Sequence, residues 1–291
     1  MSAVQALSGQ HRISILCRVL RVNRSTYYKY LRRPSAREQE NQLLKRRILE
    51  IYAQTDKRLG PRKMKLCLAR EYCISISEGR VYRLMKQMNL PKMSTVKPPK
   101  PKSCPENSAN CVNLLAQQFR QPAPNMVWVC DFTYVPVGGR FCYICAILDL
   151  YARKVIACRV SRRIDRFLAI STLRDAVRRR GVSRGVMFHS DRGSQFTSAD
   201  FRKELDALHM VQSFSKKGHP YDNAVMECFF KYLKKEELNR RHFRTLEQLQ
   251  QSLVSYIAGF YNSSRPHSHN NGLSPNQMET QFFNRFTCPL Y

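Results

Sequence analysis

The sequence is short of acid. Its 291 residues hold 21 Asp and Glu against 50 Lys and Arg, a formal net charge of +29 with a pI near 10.1. Such an excess repels itself in a compact state, so the deficit points to a polyanionic partner. Long apolar runs are also missing. The longest, residues 141–148, is far below the ~18 that cross a bilayer. Residues 1–12 contain no apolar stretch of signal-peptide length. Neither a membrane-spanning nor a secreted protein is expected, and the expected compartment is the cytoplasm, on the nucleoid. A disulfide framework is absent too. The 11 cysteines are odd in number and scattered through apolar stretches, the pattern of reduced thiols. The single C-x-x-C, Cys142 and Cys145, has no second pair. It lies in a strand-like run whose period of two turns the thiols to opposite faces, which argues against zinc. There are no internal repeats, and at 43% hydrophobic residues the chain is no disordered basic tail. Its length suits about two domains.

Positive charge is concentrated early, with +18 in residues 1–126 and +11 in residues 127–291. Between them lies Lys97-Pro98-Pro99-Lys100-Pro101-Lys102, read with its surroundings as a stiff connector over residues 93–124. Residues 1–92 read as helical. Ile13, Leu16, Val19 and Leu20 have helical spacing, and after a break at Arg21-Val22-Asn23, Ser25 can cap a second helix with Tyr27, Tyr28 and Leu31. This pair suggests a helix-turn-helix offering Arg24, Lys29, Arg32 and Arg33 to DNA; the alternative is a helical hairpin with solvated basic residues. Helices over residues 37–54, 61–72 and 78–88 follow, the last capped by Ser77.

The remainder divides into residues 125–240, a core, and 241–291, a helical extension. Strands are expected over residues 127–135, 140–150 and 154–160, with Gly138-Gly139 as a hairpin turn. A helix over 165–180, a strand over 185–190, a helix over 198–209 and a strand over 210–214 complete the pattern. Three antiparallel strands followed by alternating helix and strand predict an α/β fold, a mixed five-stranded sheet with flanking helices.

Three acids stand out: Asp131 inside an apolar strand, Asp191 ending the fourth strand, and Glu227 in a later helix, separated by 59 and 35 residues. The first and fourth strands are expected to be neighbours, and a packed helix can bring the glutamate to the same point. Three hard oxygen donors suit Mg²⁺ or Mn²⁺. Two such ions, ~3.5–4 Å apart, activate an attacking oxygen and stabilise a leaving one in phosphodiester transfer. Most acids are merely solvated, and Asp149 and Asp165 are read as a turn and a cap. Asp131 differs because a carboxylate amid Val127, Trp128, Val129, Phe132 and Val135 is costly unless paired or bound to a cation. Val225, Phe229 and Tyr232 form an apolar stripe on the Glu227 helix, leaving Lys231 and Lys234 beside the acid as phosphate contacts or as ordinary ion-pair partners. Arg192, Ser194 and Gln195 are further candidates to hold substrate backbone, although Gly193 and its neighbours can simply form a turn. His189 is equally a core or a functional residue. Arg178, Arg179 and Arg180 read as a solvated helix end.

The segments W-V-C-D-F-T-Y, H-S-D-R-G-S-Q-F and D-N-A-V-M-E-C-F-F-K-Y-L-K-K-E resemble the three blocks of the retroviral-integrase-like transposase core, including the 35-residue gap before the glutamate. More narrowly, the chain resembles the OrfB protein of two-frame bacterial insertion sequences. Phe243-Arg-Thr, Tyr256-Ile, Tyr261-Asn262, Arg265-Pro266-His267 and Ser274-Pro275 look like that family's C-terminal block, and Leu16 to Leu90 like its leader. The resemblance spans residues 12–280. It implies an RNase-H-like fold after an all-α helix-turn-helix-type region, with Asp131, Asp191 and Glu227 as catalytic metal ligands for Mg²⁺ (or Mn²⁺). It also implies a DNA transposase that cuts element ends and joins strands, through a circular intermediate. The expected partners are terminal repeats, target DNA, further copies of the chain, and an OrfA protein from an upstream frame, separate or fused by frameshifting. Cys130 and Cys228 stand where hydroxyl residues are usual, and His269-Asn270 where the family has an apolar residue. The zinc module that precedes retroviral cores has no counterpart. Two rivals share these features: a nuclease of the same fold and a catalytically silent DNA-binding regulator.

Overall fold

The computed structural model describes residues 2–31, 35–90, 111–182 and 184–287. Six helices come first: α1 (Ser2–Leu7), α2 (Ile13–Val19), α3 (Arg24–Leu31), α4 (Ala36–Gln54), α5 (Pro61–Tyr72) and α6 (Glu78–Gln87). The first three close over a small core of their own, Val4, Leu16, Cys17 and Tyr27. The cap of α3 is Asn23 rather than Ser25: Asn23 Oδ1 accepts from the Ser25 N–H at 2.9 Å, and the helix starts two residues earlier than expected. A capping box of Ser35 and Glu38 starts α4, and Ser77 Oγ caps α6 by accepting from Arg80 N–H at 3.2 Å.

The sheet follows, with β1 (Val127–Val137), β2 (Arg140–Asp149) and β3 (Lys154–Ser161), then α7 (Arg166–Arg180) and β4 (Met187–Ser190). After α8 (Ser194–Thr197) and α9 (Ala199–Ala207) comes β5 (Val211–Phe214). A 3₁₀ turn, Pro220–Asn223, enters α10 (Ala224–Glu236). Then α11 (Leu246–Val254) runs into a π-helical stretch, Ser255–Tyr261, and α12 (Pro275–Thr287) ends the described chain. The strand order is β3-β2-β1-β4-β5, antiparallel across β1 to β3 and parallel from β1 to β5, which is the expected RNase-H-like mixed sheet. Gly138 and Gly139 turn the β1–β2 hairpin with φ of 56° and 77°, and a Cβ on Gly138 would lie 2.8 Å from the Arg244 carbonyl oxygen.

Strand alternation sorts the residues of β1 onto two faces. Trp128 and Cys130 join a core with α7 and α9 that includes Phe188, Phe196 and Phe201. Val127 and Val129 join a larger core on the opposite face with α10, α11 and the helices α4 to α6. Cys145 and Cys142 fall into these two cores respectively, so the C-x-x-C straddles the sheet as its spacing predicts.

Two segments outside the sheet pack against it. Residues 111–124, assigned to the connector, run beside β5: Leu114 and Leu115 N–H donate to Ser213 Oγ at 3.0 and 3.2 Å, and Phe214 N–H to the Val112 carbonyl at 2.8 Å. Burial of Leu115 draws this stretch onto the core. The Lys/Pro run 97–102 lies outside the described residues. The C-terminal segment also packs on the sheet. Asn262 caps the edge strand β3, taking Val155 N–H and donating to Val155 O at 3.0 and 2.8 Å. No helix among the described residues is long and apolar enough to cross a membrane.

Candidate active site

Asp131 shares the strand parity of Val127 and Val129, so it sits on the sheet face that α10 covers. The parallel register pairs Val129 with His189, which sets Asp191, just past β4, on the neighbouring strand end. Glu227 lies in the first turn of α10 and is exposed. All three border one cleft of about 290 Å³. Asp131 Oδ1 accepts from Phe132 N–H at 2.7 Å and Asp191 Oδ1 from Gly193 N–H at 3.0 Å. A Cβ on Gly193 would come within 2.7 Å of Gln195 Oε1 and 3.0 Å of Asp191 Oδ1, so the bare backbone is what lets this loop hold the carboxylate.

Burial, then the charge of Asp191, then that of Glu227 push the Asp131 carboxyl well above the ordinary carboxylate range; the Phe132 N–H and Lys234 pull the other way. Carboxylates that repel across a shared cleft are a donor set that suits a hard dication. Among the described residues, however, no group of three or more acidic, histidine or cysteine side chains is placed to hold a metal ion as the side chains stand.

Two residues that the sequence reading left without roles hold α10 in place. Asp222 is 2% exposed and gathers Asn113 Nδ2, Gln117 Nε2 and Lys216 N–H, each at 2.8 Å. Asn223 Nδ2 donates to the carbonyl of Cys130 at 3.2 Å, fastening the start of α10 to the strand next to Asp131. Asp-Asn directly before a helix was the available signal. The cleft wall also carries Lys216, Lys217 and His219 from the loop after β5, none singled out beforehand.

The proposed DNA contacts fare unequally. Lys231 is exposed on the Glu227 face, while Lys234 is half-buried with Nζ 4.3 Å from the Tyr134 ring centroid. The buried face of α10 is broader than the Val225, Phe229 and Tyr232 stripe and adds Met226, Phe230 and Leu233, because sheet and C-terminal helices both cover it. Arg192 lines the cleft but donates to the carbonyls of Ser215 and Cys111 at 2.9 and 3.3 Å, tying down the loop. Gln195 is buried in α8 and does not line the cleft. Arg24 and Lys29 are exposed on α3, and Arg32 lies outside the described residues.

His189 is a core residue. It is fully buried between Ser213 Oγ and Ser215 Oγ, at 2.9 and 3.2 Å, and burial pulls it down to about 4. Asp149 is no solvated turn acid: with no exposed surface it accepts from Asn125 N–H, Tyr151 N–H and Arg180 at 2.7, 2.9 and 3.0 Å. Arg180 also grips Glu279 at 2.8 and 3.0 Å, so only part of the arginine run is a solvated helix end; Arg178 is 76% exposed. Asp165 does cap α7, accepting from Leu168 N–H at 2.9 Å.

Comparison with known proteins adds three findings. The integrase core domain family matches residues 121–220, a second integrase core family residues 227–283, and an HTH-like domain family residues 38–98. The HTH-like match therefore falls on α4 to α6, not on the α2–α3 pair. The "Transposase InsF for insertion sequence IS3A" of Escherichia coli is 32% identical over 96% of this chain and 97% of its own. The "Transposase for insertion sequence element IS904" of Lactococcus lactis is 32% identical over 85% and 98%. An "Insertion element IS600 uncharacterized 31 kDa protein" of Shigella sonnei is 34% identical over 89% and 96%. Among solved structures, the catalytic core of BIV integrase overlays 56% of this chain and 99% of its own at 17% identity, with a TM-score of 0.40.

Proposed function

The chain belongs to the IS3-family transposases, built on an integrase core domain and an HTH-like domain, and we propose that Asp131, Asp191 and Glu227 are its catalytic metal ligands. It is a transposase and a polynucleotidyl transferase by family; the residues and the cofactor are the proposal. The observation that carries it is the convergence of three acids, from β1, from the end of β4 and from α10, on one cleft. Mg²⁺ or Mn²⁺, two ions in all, would be held there, supplying an activated water or 3′-hydroxyl and stabilising the leaving oxygen. The chain's own residues do the rest. Asp222 and Asn223 set Glu227 opposite the two aspartates. Lys216, Lys217 and His219 present positive charge at the rim, and Lys231 extends it along α10, a track on which a DNA backbone lies.

The substrates are the terminal repeats of the element and then a target strand, with more than one copy of the chain in the DNA complex and an upstream-frame partner contributing recognition. A strand-transfer assay on cognate ends in Mg²⁺ tests this: joined product is expected, cut product alone would make the chain a nuclease, and neither would make it a regulator.

A further inference from the structure

The other face of α10 from Glu227 borders a second concavity, about 260 Å³ in volume. Its wall carries Lys63 from α5, Arg153 from the β2–β3 turn, and Arg265, His267 and His269 from the loop before α12, with Cys228 at the helix. Among the described residues no acidic side chain lines it. The carboxylate behind it, Glu236, is already occupied by Arg265 at 2.7 and 2.9 Å, Lys63 at 2.9 Å and the Tyr256 hydroxyl at 2.8 Å.

Two buried polar atoms of this wall have no hydrogen-bond partner: Arg153 Nη1 and His267 Nε2. His267 is only 7% exposed. Arg153 is held in the left-handed region at φ 59°, and its Nη2 lies 3.4 Å from His269 Nδ1. A guanidinium N–H left without an acceptor in a buried wall costs free energy that a bound acceptor recovers. A concave wall that is free of acids among the described residues and carries a spare guanidinium N–H matches an oxyanion. Burial draws Arg153 down to about 10, and burial together with the charge of Arg265 draws Lys63 down to about 8.

We propose that this concavity is a phosphate-binding site that takes a backbone phosphate of DNA. One phosphate oxygen accepts from Arg153 Nη1 and another from Lys63 Nζ, and the anion's charge favours a proton on His267 Nε2. That the phosphate belongs to DNA rests on the transposase reading; that the site takes an oxyanion does not.

Cys228 lines the concavity and is exposed, so its alkylation reports occupancy. The full chain, free of divalent metal, is treated with iodoacetamide, and Cys228 is followed by peptide mass spectrometry with inorganic phosphate or duplex DNA, at constant ionic strength. At about twice the dissociation constant a single occupied site slows the reaction roughly threefold. Both ligands are expected to do so. In Arg153→Asn, whose side chain tolerates the left-handed backbone, protection should vanish, and the slope of log affinity for DNA against log salt should fall by about one. Protection by phosphate but not DNA would overturn the nucleic-acid assignment. Protection by neither, or by DNA equally in Arg153→Asn, would overturn the site. The unsubstituted protein supplies the decisive arm if that variant misfolds. No cleavage is measured, so failure of the catalytic assignment leaves this outcome untouched.

Discussion

At the proposed site, burial and the charges of Asp191 and Glu227 raise the carboxyl of Asp131. Asp131→Asn, Asp191→Asn and Glu227→Gln should each abolish cleavage and joining in Mg²⁺ while leaving DNA affinity within about 1 kcal/mol, since a phosphate-binding surface of many cations remains. Any of the three that keeps substantial activity removes its residue from the site. His189 makes a separate prediction. The neutral ring is held by two serines at about 4 in the folded chain, because burial outweighs the pull of nearby Asp222. The unfolded ring protonates near ~6.5. A histidine held low contributes stability that is complete above the unfolded value and is lost as pH falls toward the folded one. Between pH ~7.5 and ~5 the chain should lose about 2 kcal/mol that His189→Gln does not lose. Urea unfolding at both pH values measures this, and equal losses would show that the ring is not the group responsible.

At the scale of elements, α10 is a shared axle. Its first turn carries Glu227, its end carries Glu236, and it is gripped at both. Glu236 joins α5 through Lys63 to the C-terminal loop through Arg265, inside a layer that also holds Tyr256. Glu236→Gln would strip the counter-charge from a guanidinium that is 3% exposed, at a cost of about 3–5 kcal/mol. Chemical denaturation should register that loss, and a change below about 1 kcal/mol would mean that the network is not a stability element. On the same helix, replacing the exposed Lys231 and the half-buried Lys234 with Ala should reduce the salt slope by about one unit each if both touch phosphate. Lys234, stacked on Tyr134, is the one whose removal should also perturb the cleft, since its charge opposes the rise of Asp131.

The whole molecule carries +29, and what that charge does alone differs from what recognition needs. The HTH-like helices α4 to α6 share the large core with the sheet, whereas α1 to α3 keep a core of their own. The isolated chain should bind any duplex with a dissociation constant of roughly 10⁻⁴–10⁻⁶ M at physiological salt. Its preference for terminal repeats over random DNA should stay below the ~10³-fold typical of a specific binder, and fusion to the proposed upstream-frame partner should raise it to that level. Competition gel shifts with both proteins at fixed salt decide the matter; a preference of ~10³ or more in the isolated chain would make its own helices a complete recognition module.

What the sequence determined by itself is local or periodic. Strand alternation located β1 to β5, turned Cys142 and Cys145 to opposite cores, and set Asp131 on the sheet face of Val127 and Val129. Cap residues such as Ser77 and Asp165 act within three positions of themselves, so they too were legible. What only the tertiary structure decided are pairings across long separations. Arg180 reads as a solvated end until Glu279, 99 residues on, closes over it, and Asp149 reads as a turn until Arg180 and Asn125 bury it. Asp222 and Asn223 became anchors of α10 only when Asn113, Gln117 and the Cys130 carbonyl came within reach. Lys216, Lys217 and His219 sit in a loop with no periodicity at all, and it is the neighbouring ends of β4 and β5 that carry them to the acids. A hydrogen bond or ion pair between distant segments leaves no local pattern in the chain, because its energy depends on a burial that exists only after the fold has closed.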